Sequence, residues 1–306
     1  MKLAVMLDAL TADADSAAGI RAAAERARSA GLTGITIRLR APALDLTRLD
    51  SSGLREFHHI FRSRSLRLIA LQHDVPAAGL HPEADLDREI DAFDDALRCA
   101  AALDRAMVLA NLGALPPAPQ PQVVRQPISP ETAGAILIPD PTDFPSAPST
   151  PDPQPRQPHF EASVAAALRE IGRRADRYGV VCAFRSSLAS FAALEFALSA
   201  VSCPWFGIDL DPLALLADVW TMDETFARLG ELIRHVRVRD GIVGDGRRTQ
   251  PTDFGAGKVN WPGLLSNLDE AGFDGFLTVD TTDLIDPSAA ARRAVDGLLR
   301  LLQARR

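Results

Sequence analysis

Short runs of β-branched and other apolar residues alternate eight times along this chain with longer Ala-, Leu- and Arg-rich segments of helical period. A strand that leads into a helix and then into another strand builds a parallel pair, with the helix laid across the sheet. The runs predict strands near Lys2–Leu7, Gly34–Leu39, Arg67–Gln72, Ala106–Asn111, Val180–Phe184, Phe206–Leu210, Ile233–Arg239 and Phe276–Val279. The intervening segments predict helices near Ser16–Ala30, Ser51–Arg62, Glu83–Leu103, Phe160–Tyr178, Leu188–Val201, Leu213–Leu229, Trp261–Ala271 and Pro287–Ala304. Eight such units close into a (β/α)8 barrel of the α/β class, which needs ~250 residues in one domain.

The alternation breaks once. Residues 115–158 hold most of the prolines and a single glycine, so the stretch is expected to be extended and irregular. Both flanking halves are needed to reach eight strands. The chain therefore reads as one domain over 1–306, with a proline-rich insertion at 115–158 in the fourth βα loop, on the C-terminal face of the barrel. Its one apolar patch, Ala133-Gly134-Ala135-Ile136-Leu137-Ile138, either covers the barrel mouth or docks a partner, unless the segment is simply a loose surface loop.

Several function classes are disfavoured. The formal net charge is -7 with no basic tail or stripe, which speaks against nucleic acid as a partner. No apolar run approaches the ~20 residues of a membrane span. The opening Met1–Asp8 turns acidic too soon for a signal peptide, so a cytoplasmic location is expected. Cys99, Cys182 and Cys203 are far apart and unpaired by any C-x-x-C spacing, and read as small buried hydrophobes. Lys2 and Lys258 are the only lysines. Nearly all positive charge is therefore arginine, which keeps its proton at neutral pH and cannot serve as a base.

Three stretches carry a resemblance. Arg234-His235-Val236-Arg237-Val238-Arg239-Asp240, Gly255-Ala256-Gly257-Lys258-Val259-Asn260-Trp261, and Ala271-Gly272-Phe273-Asp274-Gly275-Phe276-Leu277-Thr278-Val279-Asp280 follow one another at ordinary spacing. The segment from Ala175 to Asp283 that contains them resembles the xylose-isomerase-like superfamily of sugar-phosphate isomerases and epimerases. The N-terminal half is compatible, chiefly through Gly31–Leu39. The resemblance implies a divalent cation held by Glu, Asp, His and Glu at the ends of strands five to eight, the two Glu doubling as the acid/base pair.

Carried onto this sequence, those four positions fall on Arg185, Asp211, Arg237 and Asp280. Two ligands have become permanent cations, and the His often found after the strand-six Asp is Ala214. A divalent ion about 5 Å from one guanidinium is repelled by roughly 6 kcal/mol at an effective dielectric near 20. The expectation is a site without metal or other cofactor, in which Arg185 and Arg237 form a salt-bridged cluster with Asp211 and Asp280. Residues two apart on a strand share a face, so His235, Arg237 and Arg239 point one way, and Asp209 points with Asp211. Arg38 on strand two is expected to join them. Arginine forks suit carboxylates and phosphates, so the cluster is read either as a pocket for a small anionic sugar or sugar acid or as a self-neutralised plug. Asp211, Asp240 and Asp280 are then the acid/base candidates. Arg185, Arg237, Arg239, Arg38 and His235 are the ligand-binding candidates, with His235 also readable as a satisfied core histidine. The alternative is a non-catalytic binding or scaffold protein using the mouth and the insertion. A homodimer is the assembly the resemblance implies, although no stretch marks an interface.

The remaining candidates have plainer readings. His73-Asp74 follows strand three and reads as a loop pair at the edge of the mouth. His58, His59, His81 and His159 fall on helices or at their starts. Gly255-x-Gly257 lacks the context of a dinucleotide loop and reads as a tight turn. Ser186-Ser187 has no histidine at triad spacing. Trp205, Trp220 and Trp261 read as packing residues, with Trp261 the best candidate for a sugar platform.

Overall fold

A computed structural model of the chain describes residues 1–11, 16–41, 44–76, 79–81, 84–118, 158–185, 190–245 and 248–305. Most of the insertion, its patch at 133–138, and Ser186-Ser187 lie outside these residues. Eight parallel strands close into a barrel: β1 (Lys2–Met6), β2 (Gly34–Arg38), β3 (Arg67–His73), β4 (Met107–Asn111), β5 (Cys182–Arg185), β6 (Phe206–Leu210), β7 (Ile233–Val238) and β8 (Phe276–Val279). Each pairs with its neighbour in sequence, and β8 returns to β1. Among the described residues no helix is long and apolar enough to cross a membrane.

The helices start where side chains satisfy the first free backbone amides. Ser16 accepts from Gly19, Asp50 from Gly53 and Asp286 from Ala289. Their apolar faces bury Ile20, Phe57, Phe61, Phe93, Leu97 and Leu298 against the outward face of the strands, forming one large core. The lumen holds a much smaller apolar cluster, Ala70, Leu109 and Ala183 from β3, β4 and β5. The other half of the lumen is polar.

The expected helix at Leu213–Leu229 is two helices, Pro212–Ala217 and Met222–Leu229. Asp218 breaks it by accepting from the backbone of Phe191 (2.8 Å) and Trp220 (2.9 Å), and Thr221 caps the second piece. Two antiparallel hairpins lie outside the expected elements, one pairing Arg40–Ala41 with Leu44–Asp45, the other Asp240–Val243 with Thr249–Thr252. Cys99 and Cys182 are buried and Cys203 is half-buried.

His73 does not reach the mouth. It turns outward from β3 and sets its ring edge-on to Phe93 at 4.6 Å. It is 2% exposed, and its Nε2 has no partner among the described residues. Burial, assisted by the Arg40 cation, pushes the imidazole down to about 4. The unfolded chain takes up this proton near 6.5, so the stability His73 contributes is full above that pH and drains away as pH falls towards 4. The loss across that window is about 3 kcal/mol. Urea unfolding at pH 7 and pH 4 should show that much more acid sensitivity in the native chain than in His73→Phe. Equal sensitivity would clear the imidazole of the effect.

Candidate ligand-binding site

The polar half of the lumen is built in layers. At the lower level the Asp209 carboxylate on β6, 1% exposed, meets His235 and Arg237 on β7. His235 Nδ1 lies 2.6 Å from Asp209 Oδ1 and its Nε2 lies 2.7 Å from Thr278 Oγ1. Asp209 only accepts, so Nδ1 carries the hydrogen, and in the neutral ring Nε2 accepts from the Thr278 hydroxyl. Thr36 on β2 extends the chain, its Oγ1 3.4 Å from that of Thr278. His235 is thus a satisfied core histidine, with both ring nitrogens engaged.

Arg237, 3% exposed, is the hub of the next level. Its Nε donates to Asp209 (2.8 Å), one terminal nitrogen to Asp280 (2.8 Å) and the other to Gln72 Oε1 (3.2 Å). Burial opposes the charge of all three ions, but their mutual attraction prevails: Arg237 is held above its ordinary range, and Asp209 and Asp280 below theirs. Asp280 also accepts from the Thr282 hydroxyl at 2.7 Å.

Above this, Arg239 bridges Asp211 (2.6 Å) and Asp283. The other Asp211 oxygen caps the helix at Pro212–Ala217 by accepting from Leu213 at 3.0 Å. Arg38 pairs across β1 and β2 with Asp8, Nε to Oδ2 at 2.7 Å, the groups meeting off the hydrogen-bond axis.

Arg185 ends β5 beside Asn111 of β4. Among the described residues its guanidinium has no ion pair and no hydrogen bond, although the charges of Arg237, Asp209, Asp211 and Arg239 all act on it. Burial, then repulsion from Arg237, holds its pKa below the ordinary value. The expected cluster therefore forms in part, with the Arg237–Asp280 pair kept and the others rearranged. Arg237 takes Asp209 and Asp280, Arg239 takes Asp211, and Arg185 is left over.

Asp240 sits apart from this network. It is buried, and its oxygens accept from the backbone of Gly241 (2.8 Å), Gly255 (2.7 Å) and Val259 (3.3 Å) and from the Trp261 indole (3.0 Å). Trp261 is accordingly buried, tilted against Phe254 at 4.8 Å, and offers no open platform. Gly255 takes the left-handed φ of +81° that the turn requires, and a Cβ on Gly257 would stand 2.1 Å from Asp240 Oδ1. The glycine pair thus lets the loop close over a carboxylate.

Asp209, Gln72, Thr278, Thr36 and Asp283 take part without having been singled out as site residues. The alternation on the strands was the available signal for Asp209 and Thr278. Among the described residues no three His, Cys, Asp or Glu side chains are grouped to hold a metal ion.

A family model described as xylose isomerase-like TIM barrel matches residues 24–301. No curated protein matches the sequence. The fold is shared with a xylose isomerase domain protein from Planctomyces limnophilus (TM-score 0.69, 13% identity, 99% of this chain and 94% of that one). It is shared also with D-psicose 3-epimerase from Clostridium cellulolyticum H10 (0.70, 13%, 99% and 99%) and with D-allulose 3-epimerase from Methylomonas sp. (0.66, 16%, 98% and 96%).

Proposed function

The chain belongs to the xylose isomerase-like TIM barrel family, and from that footing we propose that its barrel mouth is a metal-free binding site for a small anionic, sugar-like ligand. The observation that carries this reading is Arg185. A guanidinium offers five donors, and this one ends at the face where ligands of such barrels bind with none of them engaged among the described residues. The sugar class is suggested by the epimerases that share the fold, one of them described in complex with D-allulose.

The four positions that resemble a cation site do not fit one. Arg237 already spans Asp209 and Asp280, and Arg239 already holds Asp211. A divalent ion would have to displace guanidinium groups and then sit among them. The acid/base candidates are also committed. Asp211 caps a helix and binds Arg239, Asp280 binds Arg237 and Thr282, and Asp240 holds the glycine turn. A proton transfer at the mouth would first have to break one of these contacts, which favours binding over isomerisation and keeps the non-catalytic reading in view.

The test is metal content together with ligand-induced thermal stabilisation. Sugar acids or sugar phosphates are expected to raise Tm without added metal, and Mn or Mg alone to leave it unchanged. About one Mn, Mg, Co or Zn per purified chain, lost in Asp211→Asn, would overturn the reading.

A further inference from the structure

Three of the four arginines at the mouth are taken by side chains of the chain itself. Arg237 bridges Asp209 and Asp280, Arg239 bridges Asp211 and Asp283, and Arg38 pairs with Asp8. Each of the first two guanidinium groups thus serves two carboxylates. Four negative charges face two positive ones, and Arg185 offsets only one of the two that remain. Among the described residues the mouth has one unpaired cation and a residual negative field.

That combination discriminates between anions. A carboxylate presents two oxygens to the two prongs of a guanidinium and adds a single charge. A phosphate monoester presents the same oxygens but brings close to two charges at neutral pH, and the second meets Asp211, Asp280 and Asp283 with no free cation among the described residues to balance it. The amide of Gln72, which accepts from Arg237 and donates to Asp74, makes that side of the mouth polar but uncharged, chemistry that suits hydroxyl groups. Resting on the reading of the mouth as an anion site, we propose that its ligand is a polyhydroxy monocarboxylate, a sugar acid gripped through its carboxylate by Arg185, and that sugar phosphates are discriminated against.

Burial and Arg237 already disfavour the Arg185 charge, and no side-chain bond among the described residues holds it. A bound carboxylate supplies the missing partner. It follows that Arg185→Met removes the grip without removing any contact the fold uses, so the variant should melt no lower than the native chain.

The experiment is calorimetric titration of the full chain with five- and six-carbon aldonates and uronates, the sugar phosphates of the same carbon skeletons, and the uncharged sugars. Native protein, Arg185→Met and Arg185→Lys are compared. The expected result is that at least one sugar acid binds about tenfold or more tightly than its phosphate counterpart. Arg185→Met should abolish that binding and Arg185→Lys should restore part of it. Phosphates binding as tightly as the acids, with the same loss in Arg185→Met, would overturn the monocarboxylate assignment and leave the anion site standing. Binding that ignores Arg185→Met, or that is equal for the uncharged sugars, would overturn both, as would the absence of any binding.

Discussion

Replacing Arg237 with methionine is expected to destabilise the barrel by about 3–5 kcal/mol, the usual cost of leaving a buried charge without its partner. Here two carboxylates lose their guanidinium, Asp209 in the lumen and Asp280 above it, keeping the contacts from His235 and Thr282, and Gln72 loses its Arg237 donor. The side-chain volume is nearly kept, so the loss reports charge rather than packing. Its pH dependence gives a second signature. In the native chain burial pushes both carboxyls up, but Arg237 together with the other donors and cations around them, His235 and Arg185 at Asp209 and Arg239 and Thr282 at Asp280, holds them below their ordinary values. Their contribution is therefore complete above ~4 and is lost as pH falls through the lowered values. Without Arg237 the largest interaction opposing burial is gone and both values rise, so the variant recovers as they take up protons. Denaturant midpoints should differ most at pH 7.5, and the gap should narrow by pH 5. Arg237→Lys should fall between, because an ammonium supplies the charge but not a fork that reaches three acceptors. A gap that is small, or constant with pH, would mean that the network contributes no such electrostatic support.

Asp240→Ala is the second large effect, again about 3–5 kcal/mol. One carboxylate serves the amides of Gly241, Gly255 and Val259 and the Trp261 indole. Each buried donor left without an acceptor costs ~1–3 kcal/mol, and water entering the opened turn returns part of the sum. Asp240→Asn keeps the shape but gives up one acceptor and the charge, so about half of that loss is expected. Gly257→Ala attacks the same contact from the other side, since its Cβ would overlap Oδ1 of Asp240 and the Gly241 amide at 2.4 Å. Urea unfolding of the three variants should rank Asp240→Ala as worst of the two Asp240 changes and find Gly257→Ala well below the native chain. Native-like stability in Asp240→Ala would show that the turn is held by something else.

The barrel was legible because its period is carried by many residues at once. β6 and β8 span the expected residues, and the other strands differ by a residue or two at their ends. The break at Asp218 was hidden because it depends on a backbone amide at Phe191, far away in sequence. The hairpin at Asp240–Val243 was hidden because its residues are mostly polar or small.

At the site, the sequence revealed which way side chains point but not how deep they lie. Period two put Asp209, Asp211, His235, Arg237 and Arg239 on the inward face. Depth is set by register across the sheet, and a shift between Ile208 and Asp209 brings Asp209 level with His235. Each arginine then reaches back one rung from its own level, Arg237 to Asp209 and Arg239 to Asp211. Because of that reach Asp211 pairs with Arg239, while Arg237 takes Asp209 along with the Asp280 expected of it.

The bridging of Asp209 and Asp280 by Arg237 has a practical outcome. A charge tethered to the backbone cannot be chelated away, outcompeted by a rival ion or diluted out, and guanidinium stays protonated across any pH at which the chain remains folded. Asp209 and Asp280 thus share a countercharge fixed by heredity rather than by supply. EDTA and metal starvation should leave that buried pairing as it was.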